Sequence, residues 1–253
     1  MTTQSPVTVQ LFATCLVDAL NPDAGMAVVD VLEANGCRVE FPYEQTCCGQ
    51  PAFNGGFWDD ARAMARHNLD VLDATEGPII VPAASCADMM IHHYPELFAG
   101  EPEYAAKAER VSARLYEFTQ FLVDELGVTD THARRSEKIT YHASCHGLRN
   151  LHIYTQPKTL LENVDGAEIV PLAGETECCG FGGLFAVKMS DISGAMLAKK
   201  LDNIEASGAD TVVATDFSCL MHIGGGLKKR GSTVQAKHIA EVLRPSEKDD
   251  DHV

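Results

Sequence analysis

With 253 residues the chain has length for one large domain or two small ones around a real core, and 45% hydrophobic with 22% charged residues is the make-up of an ordinary globular protein. A formal net charge of −16 excludes a nucleic-acid binder that works by neutralising phosphates, and argues equally against docking on anionic lipid. No apolar run approaches the roughly 20 residues that span a bilayer, and the start "MTTQSPVTVQLF" lacks the regions of a signal peptide, so the expected address is the cytoplasm.

In chain order, "VTVQLF" (7–12) reads as a strand. Asn21-Pro22 supplies an N-cap and first-turn proline for a helix through about Ala34, with Gly36 as its stop. "CRVEF" (37–41) is a second strand, "WDDARAMARHNLDVLDA" has apolar residues at helical spacing, and "PIIVP" (78–82) is a short buried strand. Residues 101–127 carry an amphipathic pattern that predicts one helix. Strands follow near 138–142, 167–170 and 210–214, with a helix near 190–207, and "STVQAKHIAEVL" predicts an edge strand and a last helix. The end, "EKDDDHV", reads as a solvated tail.

The chain repeats itself. Cys15 to Cys145 is a shift of 130, Cys47 to Cys178 of 131, and Cys86 to Cys219 of 133. The surroundings agree: "VTVQLFATC" with "KITYHASC", and "GPIIVPAASCADMM" with "ADTVVATDFSCLMH". The expected fold is therefore α/β, two pseudo-repeated units, each a small parallel sheet flanked by helices. The first unit takes 1–100, a linking helix 101–136, the second unit 137–244, and a disordered acidic tail 245–253. Parallel strands joined by helices place their carboxyl ends on one edge, where α/β folds collect ligands. Cys15, Cys47, Cys48 and Cys86 each follow such an end, and so do Cys145, Cys178, Cys179 and Cys219.

Four converging thiols are the ligand count of a [4Fe–4S] cluster and of a structural zinc site. Zinc usually takes two C-x(2–4)-C pairs, and neither copy contains one. Adjacent cysteines can bind neighbouring irons if the backbone turns sharply, which Gly49 and Gly180 permit. Unligated buried cysteines and disulfides remain the plain alternatives, against which stands the duplication of eight of the nine cysteines. Cys37 is the exception: its partner position is Ala167, and it reads as a core residue of its strand.

These residues, C…CCG…SC twice over with "ECCGFGGLFAVKMSDISGAM" and "SCLMHIGGGLKKRG", resemble the cysteine-rich CCG-domain family of iron–sulfur oxidoreductases, which includes the cysteine-rich component of heterodisulfide reductase. The resemblance runs from about residue 7 to 244 and is nearest to the lactate-utilisation protein A branch. It implies an iron–sulfur cluster held by the eight paired cysteines, one or two per chain. It also implies two partners, lactate-utilisation proteins B and C, and a small 2-hydroxy-acid substrate, L-lactate, oxidised to pyruvate. One departure matters: the heterodisulfide reductase pattern ends each copy in Cys-x-x-Cys, where this chain has Ala83 and Asp216. Four thiols per copy argue against non-cubane clusters and leave Asp216 open as an oxygen ligand.

Around Cys145 the second copy adds His142, His146 and Arg149, which the first copy lacks. Arg149 is a candidate to hold a carboxylate and His146 to accept a proton; the alternative is that they support the loop or tune the cluster. His92, His93 and His222 lie just beyond the last cysteines as further ligand candidates or as surface residues. "GFGG" and "GGGLKKRG" lack the spacing of nucleotide-binding loops, so neither flavin nor NAD is expected in this chain. A thiol–disulfide redox enzyme and a zinc-stabilised interaction subunit stay open beside the iron–sulfur reading.

Overall fold

The computed structural model describes residues 6–246. Asn21 and Gly36 bracket the first long helix, Pro22–Ala34: the Ala24 N–H donates to Asn21 Oδ1 at 3.3 Å, and Gly36 takes φ +84° just beyond the helix end. The strands are β1 Val7–Leu11, β2 Cys37–Glu40, β3 Ile79–Val81, β4 Leu115–Glu117, β5 Lys138–Tyr141, β6 Glu168–Ile169, β7 Thr211–Ala214 and β8 Gln235–His238. They form two four-stranded sheets, β2-β1-β3-β4 and β6-β5-β7-β8, and every pairing is parallel. The two sheets have the same strand order, as two copies of one unit require. Helices cover both faces, since each parallel strand must bury both its sides.

The stretch 101–127 departs from the single helix that its pattern predicts. The helix ends at Ser112; Leu115–Glu117 then pairs with β3, and the chain turns helical again at Phe118–Gln120 and through a π-helical turn, Phe121–Glu125. The cause is local. Glu117 caps the restarted helix, its Oε2 accepting from the N–H groups of Thr119 (2.8 Å) and Gln120 (3.1 Å) and from the Thr119 hydroxyl. Leu115 and Glu117 point inward with strand alternation. The linking segment thus completes the first sheet, as β8 and Ile239–Leu243 complete the second. The expected acidic tail lies, from residue 247 on, outside the described residues.

One core joins the sheets. Val9 and Leu11 of β1 meet Ile139 and Tyr141 of β5 through a shared layer that includes Val28, Val31 and Leu32, Phe118 and Phe121, Leu160 and Leu161, and Ile239 and Leu243. Each sheet has a second cluster on its outer face, around Leu69, Ile79 and Tyr94 in the first unit and Ile204, Val212 and Ile223 in the second. Among the described residues no helix is long and apolar enough to cross a membrane.

Glu117 carries a cost. It is fully buried, its Oε1 has no hydrogen-bond partner, and burial raises its carboxyl from an ordinary 4.5 to about 7 against the pull of its capping bonds. The folded chain therefore holds this proton more tightly than the unfolded chain. The contribution to stability is complete below about pH 4.5 and is lost as pH rises through about 7. We expect unfolding free energy to fall between pH 5 and 8, and Glu117→Gln to remove up to about 3 kcal/mol of that loss. Denaturant titrations of both proteins across this range check it; equal slopes would refute it.

Candidate metal centre

The site follows from strand order. In each sheet the order reverses beside the first strand, between β1 and β3 and between β5 and β7, and a crevice opens at the carboxyl ends there. Cys15 begins the helix Cys15–Leu20 after β1, and Cys86 lies in Ala84–Asp88 after β3. Cys47 and Cys48 arrive on the loop after β2. Cys145, Cys219 and the pair Cys178–Cys179 repeat this around β5, β7 and β6. The backbone before Cys15 is strained: Thr14 sits at φ +68°, ψ 142°, a region that residues with a Cβ rarely occupy, whereas its counterpart Ser144 is relaxed at φ −64°.

All eight cysteines line one cavity of about 200 Å³. The sequence places one site in each unit; the structure has both sets opening onto the same space at the junction of the units. Within each set the thiols follow one another in contact, Cys15–Cys47–Cys48–Cys86 and Cys145–Cys178–Cys179–Cys219. Cys48 and Cys86 have sulfurs 3.4 Å apart, Cys179 and Cys219 3.2 Å. Hydrogen bonds from Cys15 and Cys48 hold Cys47 well below an ordinary thiol pKa, and Cys145 and Cys179 do the same for Cys178. The donating thiols are correspondingly pushed up. Each set thus favours a thiolate at its second member, Cys47 or Cys178.

Gly49 (φ +84°) and Gly180 (φ +91°) make the turns behind the cysteine pairs. A Cβ on Gly180 would lie 2.8 Å from the Ser193 carbonyl oxygen, and one on Gly49 3.3 Å from that of Ala61. The Gly180 N–H points at Cys178 Sγ at 3.4 Å. Two sets of four soft thiols around a shared cavity, with a backbone N–H aimed at a sulfur, fit polynuclear iron–sulfur ligation.

The copies differ in what surrounds the thiols. Gly49 packs on Ala61 and Met64, Gly180 on Ser193 and Met196, so the helices Trp58–Asp73 and Ser190–Ser207 correspond with an offset of 132. By the same repeat Phe12 corresponds to His142, Asn68 to Lys200, and Ala83 to Asp216. Asn68 bonds the Cys47 carbonyl and the Thr46 N–H, both at 2.9 Å. Lys200, 1% exposed, donates to the Gly174 carbonyl at 2.5 Å. His142 is fully buried, which holds its pKa down at about 4 and keeps the ring neutral. Its ligand atom and those of Cys179 and Cys219 all lie within 4.8 Å of one another.

Asp216 serves as a structural clasp. Its Oδ1 caps its own helix, accepting from Ser218 N–H at 3.0 Å, and its Oδ2 accepts from the Ser85 N–H of the first unit at 2.8 Å. With both oxygens engaged it is a poor candidate for the ligand role that the sequence leaves open. A second clasp is Asp88, buried in the first unit, which accepts from His146 Nδ1 (2.5 Å), Asn150 (2.7 Å) and His92 Nδ1 (2.7 Å). This bond raises the pKa of His146, which lines the cavity. Arg149 is exposed and is not among the cavity-lining residues. His93 pairs with Glu96, and His222 meets Ser193 at 3.4 Å. Cys37 is buried at the start of β2, away from the cavity, as a core residue. Sequence reasoning missed Asp88, Lys200 and the cross-unit role of Asp216; only the breaks in the repeat at 200 and 216 could have marked the last two.

Residues 9–91 and 139–224 each match the family model of the CCG cysteine-rich domain. A protein named lactate utilization protein A from an Exiguobacterium strain is 49% identical over 236 residues, covering 93% of this chain and 96% of its own. Its namesake from Shouchella clausii is 47% identical over 239 residues, covering 94% and 99%. Among solved structures, a hypothetical protein from Helicobacter pylori aligns over 97% of this chain with a TM-score of 0.61 at 12% identity. The present chain spans half the length of that one, and the likeness concerns the fold alone.

Replacing Asp216 with alanine removes a helix cap, worth about 1 kcal/mol, and orphans the buried Ser85 N–H, worth about 1–3 kcal/mol. Since Ala83 fills the equivalent position in the first copy, the substitution introduces no clash. The expected loss of about 2–4 kcal/mol would appear as a lower denaturation midpoint. A change under about half a kcal/mol, the scatter of an ordinary surface substitution, would mean that the clasp holds nothing.

Proposed function

The chain belongs to the CCG cysteine-rich domain family, in its lactate utilisation protein A branch, and on that premise we propose that it is the iron–sulfur electron-transfer subunit of a multi-subunit system that oxidises L-lactate to pyruvate. The observation that carries the proposal is the single cavity lined by both four-thiol sets. Oxidation of one lactate to pyruvate releases two electrons and two protons. An isolated [4Fe–4S] cluster would supply one-electron chemistry, so a two-electron oxidation calls for two such groups, one for each thiol set. In this reading Cys15, Cys47, Cys48 and Cys86 hold one cluster and Cys145, Cys178, Cys179 and Cys219 the other. The electrons pass between this chain and its partners, lactate-utilisation proteins B and C, in the cytoplasm. His146, lining the cavity and fixed by Asp88, is the residue of this chain assigned to contact the hydroxy acid.

Protein purified without oxygen should contain about eight iron and eight acid-labile sulfide per chain, the content of two [4Fe–4S] clusters. Cys47→Ser and Cys178→Ser should each remove about half. A colourless, iron-free protein after anaerobic reconstitution would sink the proposal.

A thiol–disulfide role has one observation of its own in the sulfur separations of 3.4 and 3.2 Å. Bond formation needs the sulfurs to close to about 2.05 Å. Metal-free protein exposed to air should therefore form Cys48–Cys86 and Cys179–Cys219 bridges, each releasing two electrons and two protons to dioxygen. Peptide mapping by mass spectrometry reads these directly. Other pairings, or eight free thiols after air exposure, would contradict the contact order.

A further inference from the structure

Two histidines of the second unit are fully buried, and they behave in opposite ways. His238 is satisfied at both ring nitrogens: its Nε2–H donates to the Pro82 carbonyl at 3.0 Å and its Nδ1 accepts from the Ala240 N–H at 3.2 Å. His142 has no hydrogen bond at either nitrogen. The Glu175 carbonyl acts on its ring without meeting hydrogen-bond geometry. A buried polar group left unpaired costs about 1–3 kcal/mol, and the first copy avoids that cost by having Phe12 in the same place. An apolar ring fills this position in the fold, so packing alone gives no reason for an imidazole.

The neighbours of His142 supply one. Cys179 and Cys219, which are adjacent in the second thiol set, lie with it inside the 4.8 Å spread of groups that share a metal. Imidazole is an established iron ligand, including in iron–sulfur centres where it stands in for thiolate. We propose that His142 is a protein ligand of the second site, which then offers five donors, His142 with Cys145, Cys178, Cys179 and Cys219, where the first offers four. This rests on the iron–sulfur reading of the cavity. The Glu175 carbonyl, which acts on the ring, falls short of hydrogen-bond geometry here; a shift of the ring would let it accept from the nitrogen that does not ligate, the usual second partner of a metal-bound histidine. With five donors on offer, imidazole takes one iron in place of one of the four thiolates, which lowers the negative charge on the cluster and raises its potential. The two sites of this chain are thereby unequal, with the second the easier to reduce.

The test uses the full chain, labelled with ¹⁵N-histidine, reconstituted with ferrous iron and sulfide without oxygen, partly reduced and examined by pulsed electron paramagnetic resonance. The expected result is a ¹⁵N coupling of the size of a directly bonded imidazole in the first centre to be reduced. In His142→Phe, which copies the first unit, that coupling should vanish and the two centres should reduce together or in the opposite order. Iron and sulfide at both sets with no such coupling overturns the ligand assignment and leaves the iron–sulfur reading intact. Failure of the wild-type chain to take up iron overturns both. The wild-type spectrum decides the matter even if His142→Phe does not fold.

Discussion

The contact between β1 and β5 through the shared inner helices is what the rest of the structure depends on. Val9, Leu11, Ile139 and Tyr141 belong to one core, so neither sheet can turn independently of the other. Their carboxyl edges therefore meet, and the loops that leave those edges carry every paired cysteine. Two further contacts hold the register at the junction itself. Asp216 reaches from the second unit to Ser85 of the first, and Asp88 reaches from the first to His146 and Asn150 of the second. Packing brings the two sets together, and buried carboxylates aim them.

Duplication made two similar cradles, and substitution then made them different. In the first copy Phe12, Asn68 and Ala83 surround the thiols with an apolar wall and a neutral amide that bonds the loop backbone. In the second the same three places hold an imidazole, an ammonium and a carboxylate. Each of these costs free energy to bury, and a duplicated scaffold already contains the cheaper solution. Charge near a bound metal group tunes its potential, so the two thiol sets of this cavity are not equivalent toward such a group.

Much of this was legible in the sequence because its physical signals are local. The cap at Asn21, the stop at Gly36, and the alternation of apolar strands with helical patterns place most elements within a residue or two. The constant offset between cysteines marks the repeat. β4 was hidden because three residues are too few for a strand pattern and lie inside a longer amphipathic run. The parallel with β8, in which His238 caps the next helix as Glu117 does, becomes visible only when both are seen paired to their neighbours. The common cavity was not legible either. Which faces of two sheets pack together is decided by contacts between residues more than a hundred positions apart, and no single-chain pattern encodes that.

The thiols themselves show why the cavity belongs with a cationic centre. Two thiolates at the observed 3.2–3.4 Å repel by about 5 kcal/mol at an effective dielectric constant near 20. Without metal Cys47 and Cys178 are the favoured thiolates, stabilised by neighbouring thiols pushed toward their protonated forms. Metal ligation demands the opposite, several thiolates at once, so loading would expel their protons and supply positive charge in their place. The contacts that favour Cys47 and Cys178 as thiolates also string the four sulfurs of each set in succession along the cavity wall. A chain with a net charge of −16 has little spare positive charge to offset eight thiolates, and Lys200 is the cation it buries beside the second set. The cradle is electrostatically incomplete on its own, and a bound cation is what its chemistry calls for.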